Sequence, residues 1–146
     1  MKFKYGFQKI VDLKSNEKTQ AEWVFSSAVG ALRVEEQSLL ELQERKRLLH
    51  DDMVNESAGR TSVSELMVHQ TYIQHIDRQI HRKTKDVQSA KQNVSVKQEQ
   101  LVHKTIEEKI WFQARDKAKQ AFTALQLKKE QEELDDIAIT RYKLMS

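Results

Sequence analysis

The chain has no proline, no cysteine and only three glycines, Gly6, Gly30 and Gly59. Without proline nothing forces a helix to stop, and without cysteine a disulfide framework and a thiolate zinc site are excluded. Apolar residues make up 38% of the sequence, below the roughly 45 to 50% of ordinary globular domains, which argues against a thick core. No apolar run is long enough to span a bilayer or serve as a signal-peptide core, so the expectation is a cytoplasmic protein with no direct membrane insertion. No glycine-rich phosphate loop or nucleophile elbow is present, which argues against an enzyme and against a bound cofactor. A net charge of +3 without any recognisable nucleic-acid motif argues against nucleic acid as a partner.

What remains is charge and helical periodicity. The 25 basic and 22 acidic residues alternate in sign along most of the sequence, as they do on solvated helix faces. The pattern pauses once, at Ser57-Ala58-Gly59-Arg60-Thr61-Ser62. Gly59 there suits the positive φ of a helix C-cap. Ser62, followed three residues later by Glu65, reads as a capping box opening a second helix.

Before the break, helix 1 is expected over about residues 4 to 56. Val11, Lys18, Phe25, Leu32, Leu39, Lys46 and Met53 fall at heptad position a. Phe7, Lys14, Ala21, Ala28, Glu35, Leu42 and Leu49 fall at d. All but Lys14, Lys18, Glu35 and Lys46 are apolar, and a 3,4 spacing held this long predicts a coiled-coil seam on the order of 80 Å in length. After the turn at about 57 to 62, helix 2 is expected over about 63 to 142. Its a series runs from Leu66 through Ile73, Ile80, Val87, Val94 and Leu101 to Phe122, and its d series includes His69, Ile76, Lys83, Ala90, Trp111 and Leu125. Beyond Leu125 the phase slips to Leu127, Leu134, Ile137, Arg141 and Leu144, a change of register.

One short break between two such segments predicts a single domain over 1–146, all-α, a monomeric antiparallel hairpin of two long helices with the second the longer. Folding at Gly59 sets Glu35 level with Lys83, a compensated polar layer that fixes register. It also brings Phe7 near Trp111 and leaves roughly 117–146 without a partner in the chain. The end away from the turn, interrupted by Lys14, Lys18, Lys97, Lys104 and Glu108, is expected to pack less tightly.

The five histidines do not form a metal site by spacing, since ligands sharing one helix face need separations of three or four. Glu65 with His69, Asp77 with His81 and Glu99 with His103 read instead as i,i+4 surface pairs. Phe3, Tyr5 and Phe7 form an aromatic group with Trp111 and Phe112, either a plug against fraying or a partner contact. Val102, Ile106 and Ile110 make a second apolar row that a two-stranded coil does not bury.

Three segments, taken in order, carry a family resemblance. They are Phe7-Gln8-Lys9-Ile10-Val11-Asp12-Leu13-Lys14 with Glu17-Lys18 after it, Gln70-Thr71-Tyr72-Ile73-Gln74-His75-Ile76-Asp77, and Glu130-Gln131-Glu132-Glu133-Leu134-Asp135-Asp136-Ile137-Ala138 followed by Arg141. Together they resemble the FliJ family of the bacterial flagellar type III export apparatus, in the form found in Gram-positive bacilli.

The resemblance implies a coiled-coil hairpin similar to the central stalk of rotary ATPases, with no active site of its own. Its implied partners are the flagellar export ATPase ring, the cytoplasmic domain of the export-gate membrane protein and the export chaperones, at the cytoplasmic face of the basal body. The ATPase end would use Phe3, Phe7, Gln8, Lys9, Val11, Leu13, Leu134, Asp135, Asp136, Ile137 and Arg141. The gate would meet Tyr72 and Ile76, while Gln79 and Lys83 depart from the small and histidine side chains of some members. The equivalent stalk of a virulence type III injectisome, or a generic coiled-coil adaptor or chaperone, is the competing reading.

Overall fold

The computed structural model describes residues 2–57, 59 and 62–145. Two helices account for nearly all of them: α1, Gln8–Ser57, and α2, Val63–Met145. No strand occurs among the described residues.

The first helix begins at Gln8 rather than near residue 4. Phe7 precedes it as the capping residue, its carbonyl accepting the Ile10 and Val11 N–H groups at 3.0 and 3.1 Å. A residue outside the helix no longer follows the heptad, so Phe7, expected at d, is 56% exposed. At the start of α2 the Ser62 Oγ accepts the Glu65 N–H at 3.2 Å, and the Ser62 carbonyl accepts the Leu66 N–H at 3.2 Å. This is the cap expected from Ser62 and Glu65, and the acid in the first turn also suits the helix dipole.

Gly59 behaves differently from expectation. Ala58, Arg60 and Thr61 lie outside the described residues, but Gly59 does not adopt a positive φ. Its N–H instead bonds the Glu56 carbonyl at 3.1 Å, an i→i+3 bond that tightens the last turn in place of a left-handed cap. A Cβ built at Gly59 would meet that carbonyl oxygen at 3.6 Å, an ordinary contact. Gly59→Ala is therefore expected to be neutral or to stabilise by up to about 1 kcal/mol, through the unfolded chain. Thermal melting followed by circular dichroism checks this; a lower midpoint would mean that the turn needs glycine.

The chain divides into two compact units, Ala21–Leu101 and Met1–Gln20 with Val102–Ser146. Within the first, Lys83 Nζ reaches Glu35 Oε2 at 2.9 Å, Lys46 reaches Asp77 at 2.7 Å and His69 reaches Glu56 at 2.7 Å. As the α1 number rises the α2 number falls, so the helices run antiparallel. Ala28, Ile76 and Val87 are buried between them, and the other a and d positions of α2 from Leu66 to Leu101 are half-buried. The fold is thus the coiled-coil hairpin that the 3,4 spacing predicted, with the second helix the longer.

Tertiary partners replace two of the expected surface pairs. His69 bonds Glu56 instead of Glu65, and Asp77 bonds Lys46 instead of His81. Both partners sit across the seam on α1, where the antiparallel register brings them level.

Candidate functional site

The unit formed by the chain start and the far half of α2 contains every residue expected at the ATPase end. Its seam is ionic where the sequence is polar. Lys14 Nζ meets Glu107 at 3.2 Å, Lys18 meets Glu108 at 3.3 Å, and Lys104 meets Glu17 at 3.1 Å. The interruptions that weaken the apolar seam are in this way matched in sign, and Val11 packs among them at 1% exposure.

These contacts bias ionisation. Hydrogen bonding from Lys14, helped by the charge of Lys104, holds the Glu107 carboxyl below its ordinary value of 4.5. Hydrogen bonding to Glu17, helped by the charges of Glu107 and Glu17, raises Lys104 above its ordinary 10.5. A depressed carboxylate contributes stability that is complete above its unfolded value and lost as pH falls through the folded one. A raised lysine contributes stability that is complete below its unfolded value and lost as pH rises through the folded one. The layer is therefore at full strength between about pH 5 and pH 10. With Trp23→Phe leaving Trp111 as reporter, emission is expected to shift to longer wavelength on acidification below pH 4.5. The same shift is expected at pH 7 in high salt, which screens exposed pairs. Emission unchanged in both conditions would show that these pairs do not hold the seam.

Beyond the start of α1 the chain runs back along α2. Phe3 lies 5.5 Å from Phe122 and Phe7 lies 6.2 Å from Trp111, centroid to centroid, with Tyr5 between them. Such ring pairs contribute roughly 0.5 to 1.5 kcal/mol each beyond their burial. Arg115 stacks its guanidinium 5.0 Å from the Phe112 ring. The segment before α1 thus covers part of what was expected to lie bare from about 117: Ala118, Phe122 and Gln126 are half-buried, and every described residue after Gln126 is exposed.

The expected ATPase-end residues consequently form two patches. Phe3, Phe7, Gln8, Lys9 and Leu13 belong to the chain start, where Gln8 Nε2 donates to Asp12 Oδ1 at 3.0 Å. Leu134, Asp135, Asp136, Ile137 and Arg141 lie roughly three turns or more beyond Phe122 on the bare part of α2, all exposed. Val11 is enclosed in the seam and presents no surface to a partner. Val102, Ile106 and Ile110 form the expected exposed row.

The two residues expected at the gate also divide. Tyr72 is 48% exposed, with its ring 6.5 Å from that of His75. It lies in a strip with Met67, Val68, Thr71, His75 and Arg78. Ile76, at a seam d position, is 1% exposed and is held against α1, so it can support the strip but not touch what binds there. Sequence reading did not single out Met67 and Val68. The signal was available, because 68, 72 and 75 follow helical spacing.

No group of three or more His, Cys, Asp or Glu side chains converges on a metal position among the described residues. No helix of the described residues is long and apolar enough to cross a membrane.

The family model described as "Flagellar FliJ protein" matches residues 3–144. The chain belongs to the FliJ family. A FliJ protein of Bacillus subtilis (strain 168) is 29% identical over 142 residues, covering 97% of both chains. Among solved structures, the fold is similar to that of CT670 from Chlamydia trachomatis, a proposed YscO homolog. There the TM-score is 0.68 at 14% identity, over 98% of this chain and 97% of that one, a likeness of fold. FliJ membership makes the chain a component of flagellar type III export, in a family of non-enzymatic structural export proteins. It also implies interaction with the export apparatus.

Proposed function

We propose that this chain is a single coiled-coil domain acting as a stalk for the export ATPase ring and the export gate, promoting export of flagellar substrates. It would work in the cytoplasm, at the cytoplasmic face of the basal body, returning export chaperones to the apparatus and carrying out no catalysis itself. The observation that carries this reading is the bare end of α2 after Gln126, a helix with apolar and charged residues whose described positions are all exposed. A surrounding ring resembling that of a rotary ATPase would supply the missing burial, with the Phe3 to Leu13 patch beside it. The strip around Tyr72 suits the gate's cytoplasmic domain, since a half-exposed aromatic flanked by Met67 and Val68 has the character of an interface anchor.

What supports the flagellar reading over an injectisome stalk is the family match along residues 3–144; the fold alone suits both. The test is a titration of the chain into the purified flagellar export ATPase, with ATP turnover as readout, beside calorimetry with the gate's cytoplasmic domain. Raised turnover and measurable gate binding are expected. Unchanged turnover at saturating chain would overturn the ring role.

A further inference from the structure

The bare end of α2 carries a second, independent pattern. Ala124, Leu127, Gln131, Leu134, Ala138, Arg141 and Met145 recur at alternating spacings of three and four, so they share one face. With Leu127 and Leu134 at d, Lys128 and Asp135 fall at successive e positions on the same edge of that face. Neither makes an ion pair among the described residues, and Asp135 accepts a bond from Gln131 Nε2 at 3.3 Å.

A cation and an anion one heptad apart on one edge are self-complementary when two identical helices run antiparallel, because e then faces e. We propose that in the free protein this end of α2 is covered by the same end of a second copy, in an antiparallel, twofold pair. Lys128 of each copy meets Asp135 of the other. The same alignment sets Leu127 over Ala138 and Leu134 over Gln131, and the ionic pairs rather than the apolar ones fix the register. Shifting the copies until Lys128 meets Lys128 places like charges together. A parallel pairing fails for the same reason, since g then faces e and Glu130 would meet Asp135. A partner of uniform charge would satisfy only half of the edge.

The inference concerns the protein alone and does not rest on the ring reading. With small alanines and a Gln131 layer in the face, the pair is weak and reversible, and each copy keeps its own hairpin.

Sedimentation equilibrium of the full chain, from about 1 µM to about 1 mM, tests it without any ATPase present. The mass should rise from 17.2 kDa toward twice that value. Lys128→Glu and Asp135→Lys should each weaken association about tenfold, because two attractive pairs become repulsive. An equimolar mixture of the two variants should recover wild-type association, since the altered edges are again opposite in sign. Recovery also shows that both variants are folded. A wild-type mass of 17.2 kDa throughout would overturn the proposal. So would variants that associate as well as wild type, or a mixture that fails to recover.

Discussion

Truncation after Gln126 is expected to leave a helical, gate-competent hairpin that no longer stimulates the export ATPase. The deleted residues contribute no buried position, since everything described beyond Gln126 is exposed. The aromatic contacts of Phe3 and Phe7 reach only to Phe122 and Trp111 and survive the cut. The loss in thermal stability should be small, because shortening a helix from an unpacked end removes little tertiary energy. Turnover should fall to that of the ATPase alone, while gate affinity measured by calorimetry should match the full chain. Repeating turnover with the full chain in high salt separates the charged contribution of Asp135, Asp136 and Arg141 from the apolar one of Leu134 and Ile137. Full stimulation by the truncated chain would shift the ATPase contact to the Phe3 to Leu13 patch or toward the turn.

The second large effect is expected at Ile76, and it is set against Tyr72. Few side chains are fully buried in this fold, and Ile76 is one of the two largest. Ile76→Ala should cost about 2 to 4 kcal/mol, because the deleted methyl groups leave a gap between helices that touch along a single seam. Tyr72→Ala, one turn earlier and half-exposed, should cost little helicity. If the strip is the gate site, it should weaken gate binding by 1 to 2 kcal/mol or more, as about a tenfold or larger rise in Kd. Circular dichroism melting and calorimetry on both variants give four numbers. A Tyr72→Ala variant that melts early, or that binds the gate unchanged, would remove Tyr72 from the contact. An Ile76→Ala variant as stable as wild type would mean that the seam is not where the unit draws its stability.

The seam was legible because burial in a two-stranded coil depends only on spacing. Val11, Ala28, Ile76 and Val87 stand at a or d in the sequence and are the buried residues among those described. Lys83 and Glu35 could be paired for the same reason, since an antiparallel hairpin fixes which residues are level. What was not legible depended on leaving the heptad. Phe7 continues the d series by spacing, yet the helix starts one residue later and its ring, though against Trp111, stays more than half exposed. Gly59 suggested a left-handed cap from its residue type, whereas the chain closes α1 by a tighter turn that other residues also permit.

The site was less legible than the fold, because family resemblance marks positions without saying which way they face. It grouped Tyr72 with Ile76, although one lies beside the seam and the other inside it. It also grouped the chain start with residues 134–141, which the structure sets on separate stretches of α2. Two of the three histidine pairs were displaced for a third reason: spacing along one helix cannot show that Glu56 or Lys46 stands opposite.

The ionic layers constrain motion between the two strands. Sliding α1 past α2 by one heptad would, in one direction, carry Lys18 from Glu108 to the level of Arg115. In the other unit the same step would leave Lys83 facing Leu42 or Ala28 instead of Glu35. Either outcome strands a cation against a like charge or in an apolar layer, a penalty that antiparallel coils built wholly of leucine do not face. The charges act as detents along the seam. Within each unit a slip in phase breaks these pairs, whereas bending or twisting that keeps the register leaves them intact.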